Sequence, residues 1–503
     1  MERLDGGAVR SWAEAAAALL ALAAQRIDAV NVFPVPDADT GTNVRLTIAG
    51  GARRAATAPA GAGPATVARA FAAGTLTAAR GNSGVIVSQW VAGFASALAD
   101  DEPVGADGVA AALGEAAAAA HGAVRLPQEG TVLTVARLVG ERARHAARTG
   151  AALDALLGPV LDEARGELAR ISATHPVLRE AHVVDAGACA LLVVLEALER
   201  TLRGAAADRT SPTWLPERGL DAADLAAWRA AEPGGAYEVM ALVQGSGLGS
   251  SLRERLGAVG DSVAVVGTGG LWQVHVHTDD PAAAVEAAGL GGRSQVVVRL
   301  VEGAAAQVAA GDDLGVVVAT DAPGAARFFA TGGAVVVVRC PEAPATADHL
   351  ARAVADTGAT RVVVLTAGAE LAAAGRALTH DDELRGAALE VVAAGDTLAQ
   401  AVAALAVLGG HGDATSRADG AWAALGRLRT VDVDVWADLA TAAEALVEDA
   451  AGGAEAVTVQ HGPGSAYDEA VALREHVTAV HPELDVVLVG PVEGGARWRI
   501  GVD

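Results

Sequence analysis

At 503 residues the chain is long enough for about three domains of roughly 150 residues each. A net charge of −24 leaves no basic face on which nucleic acid phosphates would collect. Two distant cysteines, Cys189 and Cys340, exclude a disulfide framework and predict a reducing cytoplasm, and the N-terminus lacks the basic-then-apolar pattern of a signal peptide.

Hydrophobic residues make up 52% of the chain and aromatic ones only 3%, so its cores must be built from Ala, Val and Leu. The longest uncharged run, 81–99, carries Asn82, Ser83, Ser88, Gln89 and Ser96, which suits a buried helix and not a membrane span. There is no lysine, which rules out a Walker A motif and the strand lysine of protein kinases. Phosphate binding would have to use arginine, metal, hydroxyls and backbone. The three asparagines, Asn31, Asn43 and Asn82, all lie in or beside Gly-rich turns.

The first 200 residues read as helices over 8–27, 43–57, 66–79, 83–99, 105–122, 131–148, 151–172 and 186–203. Between the first two lies NVFPVPDADTGTN, residues 31–43. Asp37 and Asp39, spaced i and i+2 on a Pro-stiffened loop, can converge on one hard cation such as Mg²⁺. The turn Gly41-Thr42-Asn43 then presents backbone N–H groups at a helix N-terminus, where anions bind. Three further polar breaks, Arg80-Gly81-Asn82-Ser83-Gly84, Gln128-Glu129-Gly130-Thr131 and Asp185-Ala186-Gly187-Ala188, open the fourth, sixth and eighth helices. In an up-down bundle alternate helices start at the same end, so all four turns should share one rim, a geometry suited to a polyphosphate. Each turn can also be read more plainly, as a helix cap at Ser83, Thr131 or Asp185. His175 and His182 read as loop histidines without a partner visible in sequence.

NVFPVPDADTGTN, ARGNSGVIVSQ, EGTVLTV and VVDAGA, in this order and spacing, resemble the nucleotide-binding helical domain of the dihydroxyacetone kinase L type. The version found in the catalytic subunit of bacterial fatty acid kinase is the closer match. The resemblance implies an eight-helix antiparallel barrel over 1–204, with ATP and two Mg²⁺ at one rim. It makes Asp37 and Asp39 the metal ligands and puts Asn31 near the metals. Thr40, Thr42, Asn43, Ser83 and Gly84 then surround the phosphates, with Gly41, Asn82, Thr131, Asp185 and Gly187 completing the nucleotide site. Arg80 is the expected source of transition-state charge. The usual motif reads Asp-Gly-Asp, whereas Ala38 stands between the acids here, a mild departure.

Residues 205–233 read as a linker, and 234–310 as a small α+β middle domain with strands over 237–243, 262–266 and 272–278. Alternation in the last puts His275 and His277 on one strand face, half of a metal site. The family's middle domain has a cysteine after the tyrosine that joins both histidines in binding zinc. Here that position is Glu238, which leaves two readings open, a Glu-His-His zinc site or a hydrogen-bonded cluster. Residues 311–503 alternate strands, over 315–319, 334–340, 361–366, 387–392, 456–460 and 485–490, with Ala-rich helices. This α/β region resembles one lobe of a DegV-type fatty-acid-binding protein and is expected to serve docking or dimerisation. The whole reads as the catalytic subunit of a two-component fatty acid kinase that makes acyl phosphate, a precursor class for phospholipid synthesis, from a fatty acid held by a DegV-type carrier. A homodimer and a cytoplasmic location go with that reading. The alternatives are a dihydroxyacetone-type kinase with another acceptor and a non-enzymatic nucleotide-binding scaffold.

Overall fold

A computed structural model describes the chain apart from residues 1, 34–35, 37, 100–103, 125, 217–234, 302–313, 345, 379–387, 436–437, 451–453, 463–466 and 495. Two compact units emerge. The first comprises Met1–Gly234, Gly245–Gly257 and Asp261–Val276, and the second Gly235–Gln244, Ala258–Gly260 and His277–Asp503.

The first unit is helical through residue 202: α1 (Gly6–Asp28), α2 (Thr40–Ala56), α3 (Pro64–Ala78), α4 (Gly81–Ser96), α5 (Ala106–Ala123), α6 (Val132–Arg148), α7 (Gly158–Ser172), the short α8 (Pro176–Glu180) and α9 (Ala186–Leu202). The first seven long helices each pack on their sequence neighbour, and α9 returns against α1, where Trp12 Nε1 donates to the Val194 carbonyl at 3.0 Å. Trp12 also meets Phe71, Trp90 and Phe94 edge-on with ring centroids 5.0–6.3 Å apart, so the few aromatic residues are gathered into one knot inside an otherwise Ala-rich core. Among the described residues only α1 is long and apolar enough to cross a membrane, and its apolar face is taken up by this core.

α9 departs from the pattern of a wall helix, because fourteen of its seventeen residues are buried. One polar group in it, Glu196, accepts from Arg165 and Arg200 and from Trp214 Nε1 at 2.7 Å. Arg26 of α1 meanwhile donates to the carbonyls of Pro212 and Pro216 at 2.8 and 3.2 Å. The stretch expected to begin a linker is thus, as far as residue 216, strapped over α1 and α9. Strands β2 (Asp261–Thr268) and β3 (Leu271–Thr278) follow, joined through Gly269 and Gly270, both at positive φ as a tight hairpin turn requires. Ala264 of β2 forms a bridge with Val124 after α5.

In the second unit the strand order is β1-β4-β6-β5-β7-β8, with β1 (Tyr237–Gln244), β4 (Gly292–Leu300), β5 (Leu314–Thr320), β6 (Val335–Val338), β7 (Arg361–Ala367) and β8 (Ala388–Gly395). The pairs β6–β5, β5–β7 and β7–β8 are parallel, which accounts for their near-continuous valine runs: a parallel sheet covered by helices is buried on both faces. β4 pairs antiparallel with β6 through Val296–Val298, so the sheet runs on across residue 310, where sequence had suggested a domain boundary. A second sheet has the order β11-β10-β12-β9, formed by β9 (Arg429–Val433), β10 (Ala456–His461), β11 (Asp485–Val489) and β12 (Trp498–Val502). β4, β9 and β12 escaped sequence reading because Arg, Asp, Gly and Gln interrupt their apolar alternation.

Candidate nucleotide and metal site

The loop after α1 and the N-terminus of α2 are bound together by side chains. Asp28, the last residue of α1, accepts from the Gly41 N–H at 2.6 Å, the Thr42 N–H at 3.0 Å and the Thr42 hydroxyl at 2.8 Å. Thr40 Oγ1 donates to Asn31 Oδ1 at 2.5 Å. These bonds draw Thr40-Gly41-Thr42 into the helix, so α2 starts three residues earlier than its sequence pattern suggests. They also engage two of the N–H groups that the sequence had offered to a phosphate. Gly41 has a steric role: a Cβ there would lie 2.3 Å from the Ala24 carbonyl oxygen. Asp39 occupies the N-cap position of α2 but makes no capping bond, because Asp28 performs that task from another helix.

Asp37 lies outside the described residues. Between the two acids, Ala38 has φ +57, the left-handed region, where a Cβ costs about 1–2 kcal/mol. The replacement of the usual glycine therefore leaves the loop strained. Ala38→Gly is expected to stabilise the helical unit by about 0.5–1 kcal/mol, after the larger unfolded-state entropy of glycine is subtracted. Thermal unfolding of the two proteins in parallel measures this, and a lower midpoint for the glycine variant would contradict it.

The other turns gather around this loop. A Cβ on Gly81 would lie 2.4 Å from Asn43 Nδ2, and one on Gly84 would lie 2.4 Å from Thr47 Oγ1. Both glycines thus allow α4 to approach α2, while Asn82 and Ser83 between them are partly exposed. No side chain caps α4. Arg80 is buried, with its backbone N–H on Thr47 Oγ1 at 3.3 Å and Nη1 on the Ala78 carbonyl at 2.7 Å. Arg45, half-buried one turn into α2, interacts electrostatically with both Asp28 and Arg80.

Phe33 stacks at 4.1 Å on His175, whose backbone and Cβ lie against Gly130. Thr131 caps α6, accepting from the Leu133 N–H at 3.4 Å. Asp185 caps α9 through the Ala188 N–H at 2.7 Å and accepts in addition from the Val132 N–H that opens α6. Gly187 lies against Val132, where a Cβ would come within 3.3 Å. All four polar turns are therefore in contact, directly or through His175. His182, at φ +55, ends α8, with the following Val183 N–H on the Leu178 carbonyl at 3.2 Å. Both loop histidines thus have structural partners that sequence could not supply.

Burial pushes the Asp28 carboxyl up to about 6 against the pull of its Thr42 and Gly41 donors, and the nearby Asp39 charge adds to the rise. Asp185, fully buried, is also raised to about 6, with the Ala188 and Val132 N–H groups opposing. Internal carboxylates therefore already serve the positive ends of α2, α6 and α9. Of the four helices that open on the polar turns, α4 alone begins without a capping side chain. Asp28 and Arg45 were not singled out from sequence. A carboxylate at a helix C-terminus opposes the macrodipole, and that was the available hint that Asp28 serves another element.

In the middle region Glu238, His275 and His277 are all buried, and each offers a ligand atom within 4.8 Å of the others. Val274 and Val276 are buried as well, so the expected one-sided burial of β3 is replaced by burial on both faces. Glu238, His and His are donors of a kind that holds zinc. However, Glu238 forms an ion pair with Arg299, directly opposite it on β4. With neutral histidines the four side chains sum to zero charge, whereas a zinc ion would leave two positive charges in a largely buried place. The residues present thus fit a self-neutralised cluster better than a zinc site. The full chain, purified without chelator, is expected to carry well under one equivalent of zinc, and Glu238→Cys to raise that content. A full equivalent in the unmodified protein, lost in Glu238→Ala, would reverse this assignment.

Comparison with known proteins agrees with this geometry. Residues 34–200 match the DAK2 domain, and residues 234–298 match the FakA-like middle domain of fatty acid kinase. The chain belongs to the FakA-like fatty acid kinase family. It is 35% identical to the protein YloV of Bacillus subtilis over 292 residues, 55% of this chain and 52% of that one. It is also 32% identical to an uncharacterized protein of Staphylococcus saprophyticus over 265 residues, 51% of this chain and 48% of that one. The chain spans about half the length of these relatives, and the family models leave the α/β region after residue 298 unmatched.

Proposed function

We propose that this chain is the ATP-binding catalytic component of a two-component fatty acid kinase that works in the cytoplasm. The reading is carried by Asp39: an acid at a helix N-cap position, relieved of capping by Asp28, next to the one rim helix whose N-terminus no side chain caps. Asp37 and Asp39 hold Mg²⁺, two ions in all, with Asn31 close by. The ions would neutralise charge on the transferring phosphoryl group. Asn82 and Ser83, exposed at the start of α4, contact the phosphates together with Thr40, Thr42 and Asn43. Gly41, Gly84 and Gly187 bring the rim elements close enough for this, and Thr131 and Asp185 hold its far side. Arg80, with Arg45 beside it, supplies positive charge that a lysine-free chain cannot provide otherwise.

The acceptor is the carboxylate of a fatty acid presented by a DegV-type carrier, and the product is an acyl phosphate. A carboxylate is already ionised at neutral pH, so no general base is needed. In-line placement and charge neutralisation then provide most of the rate. The eight long helices form the antiparallel barrel typical of the L-type kinase domain. The DegV-like region docks the carrier or a second copy of the chain. The test is Mg²⁺-dependent ADP release on mixing the full chain, ATP and loaded carrier. Release with dihydroxyacetone in place of the carrier would favour the other-acceptor kinase. ATP binding without any transfer would favour the scaffold.

A further inference from the structure

We infer that Asp28 is a positioning residue that sets the geometry of the metal-binding loop. This rests on the proposal that Asp37 and Asp39 hold Mg²⁺. Nothing in the DADTGT motif points to a residue nine positions upstream, and a carboxylate at the C-terminal end of a helix is electrostatically misplaced. Yet three donors from the first turn of α2 converge on it at 2.6–3.0 Å in a mostly buried setting. The turn that follows it is fixed too: the Asn31 N–H donates to the Asp28 carbonyl at 3.1 Å, and Asn31 Oδ1 accepts from Thr40. Segments 28–31 and 40–42 are thus stitched together on both sides of the two acids. The intervening loop has its ends clamped, and Asp39 is left with no capping bond to α2.

Two effects follow. The clamp fixes where the Asp39 carboxylate can point, which lowers the ordering cost of metal binding. The Asp28 charge, close enough to Asp39 to interact with it, also adds to the negative potential that draws in a dication.

The experiment compares the full chain with Asp28→Asn, which keeps shape and one acceptor oxygen but loses the charge and reverses the bond to Thr42 Oγ1. Binding of a fluorescent ATP analogue is titrated with Mg²⁺. Thermal unfolding and amide exchange at Gly41 and Thr42 are followed on the same samples. The expected result is a rise of about tenfold or more in the Mg²⁺ concentration for half-maximal binding. Nucleotide binding without Mg²⁺ should be little changed, and the Gly41 and Thr42 amides should exchange faster. A residue of purely structural importance would lower the melting midpoint without moving the Mg²⁺ requirement. If Asp28→Asn fails to fold, exchange in the unmodified protein decides: Gly41 and Thr42 amides as fast as those of an open loop would overturn the inference. Unmodified chain that binds Mg²⁺ and nucleotide, with a folded Asp28→Asn indistinguishable from it, overturns the positioning role alone. Failure of the unmodified chain to bind nucleotide with Mg²⁺ overturns both this role and the metal-site reading beneath it.

Discussion

Asp39→Asn is expected to lower Mg²⁺-dependent phosphoryl transfer by about a hundredfold or more while leaving the helical unit folded. The rate loss follows from removing one of two carboxylates that hold the ion neutralising the transferring phosphoryl group, a contribution of several kcal/mol. Retention of the fold follows from what Asp39 does not do. It makes no capping bond, since Asp28 takes the Gly41 and Thr42 N–H groups, so no helix terminus is orphaned. Asparagine also keeps the size of the side chain and tolerates the observed backbone at φ −125 and ψ −3. The backbone oxygen of residue 39, which accepts from the Asn43 N–H at 2.7 Å, is untouched. Circular dichroism establishes the fold, and ADP release at saturating ATP gives the rate. A folded Asp39→Asn protein with near-normal turnover would remove the metal assignment.

The second large effect concerns the acceptor. The interior of the helical unit is filled by its own side chains, with Trp12, Phe71, Trp90 and Phe94 interlocked and Leu19, Leu20 and Ile48 fully buried around them. An acyl chain would have to displace closely packed side chains, at a cost of several kcal/mol. A long-chain fatty acid is therefore expected to reach the rim only when another protein buries its tail. Free fatty acid with ATP should give little ADP release. A DegV-type carrier loaded with fatty acid should raise it by at least about tenfold, with acyl phosphate trapped by hydroxylamine in proportion, and empty carrier should not. Equal ADP release with loaded and empty carriers, across several candidates from the same genome, would move weight to the kinase with a different acceptor.

How much of this could be read from the chain alone differs from motif to motif. Local chemistry was legible wherever it is encoded by neighbours. The helix starts at Gly-rich polar turns, the hairpin strands at 262–266 and 272–278 and the valine runs of the parallel sheet all follow from periodicities of 3.6 or 2. The Asp37-to-Asn43 motif was also visible, as was the missing glycine at position 38. What it costs was not, because the sign of φ at Ala38 depends on the fold.

Tertiary structure decided the pairings between distant segments. Asp28 is thirteen residues from Gly41, Asp185 is some fifty from Val132, and Glu238 is sixty-one from Arg299. No local pattern encodes such contacts, and each alters a chemical reading. Asp28 takes N–H groups that looked ready for phosphate, and Arg299 supplies the positive charge that a metal would bring to the histidine cluster. Gly81 and Gly84 looked like a bare phosphate cradle and prove to be the close approach of α4 to α2. The sequence by itself determined which residue types stand at the rim. The fold determined which of their charges and hydrogen-bond donors are already engaged, because a buried polar group must find a partner and the fold alone supplies it.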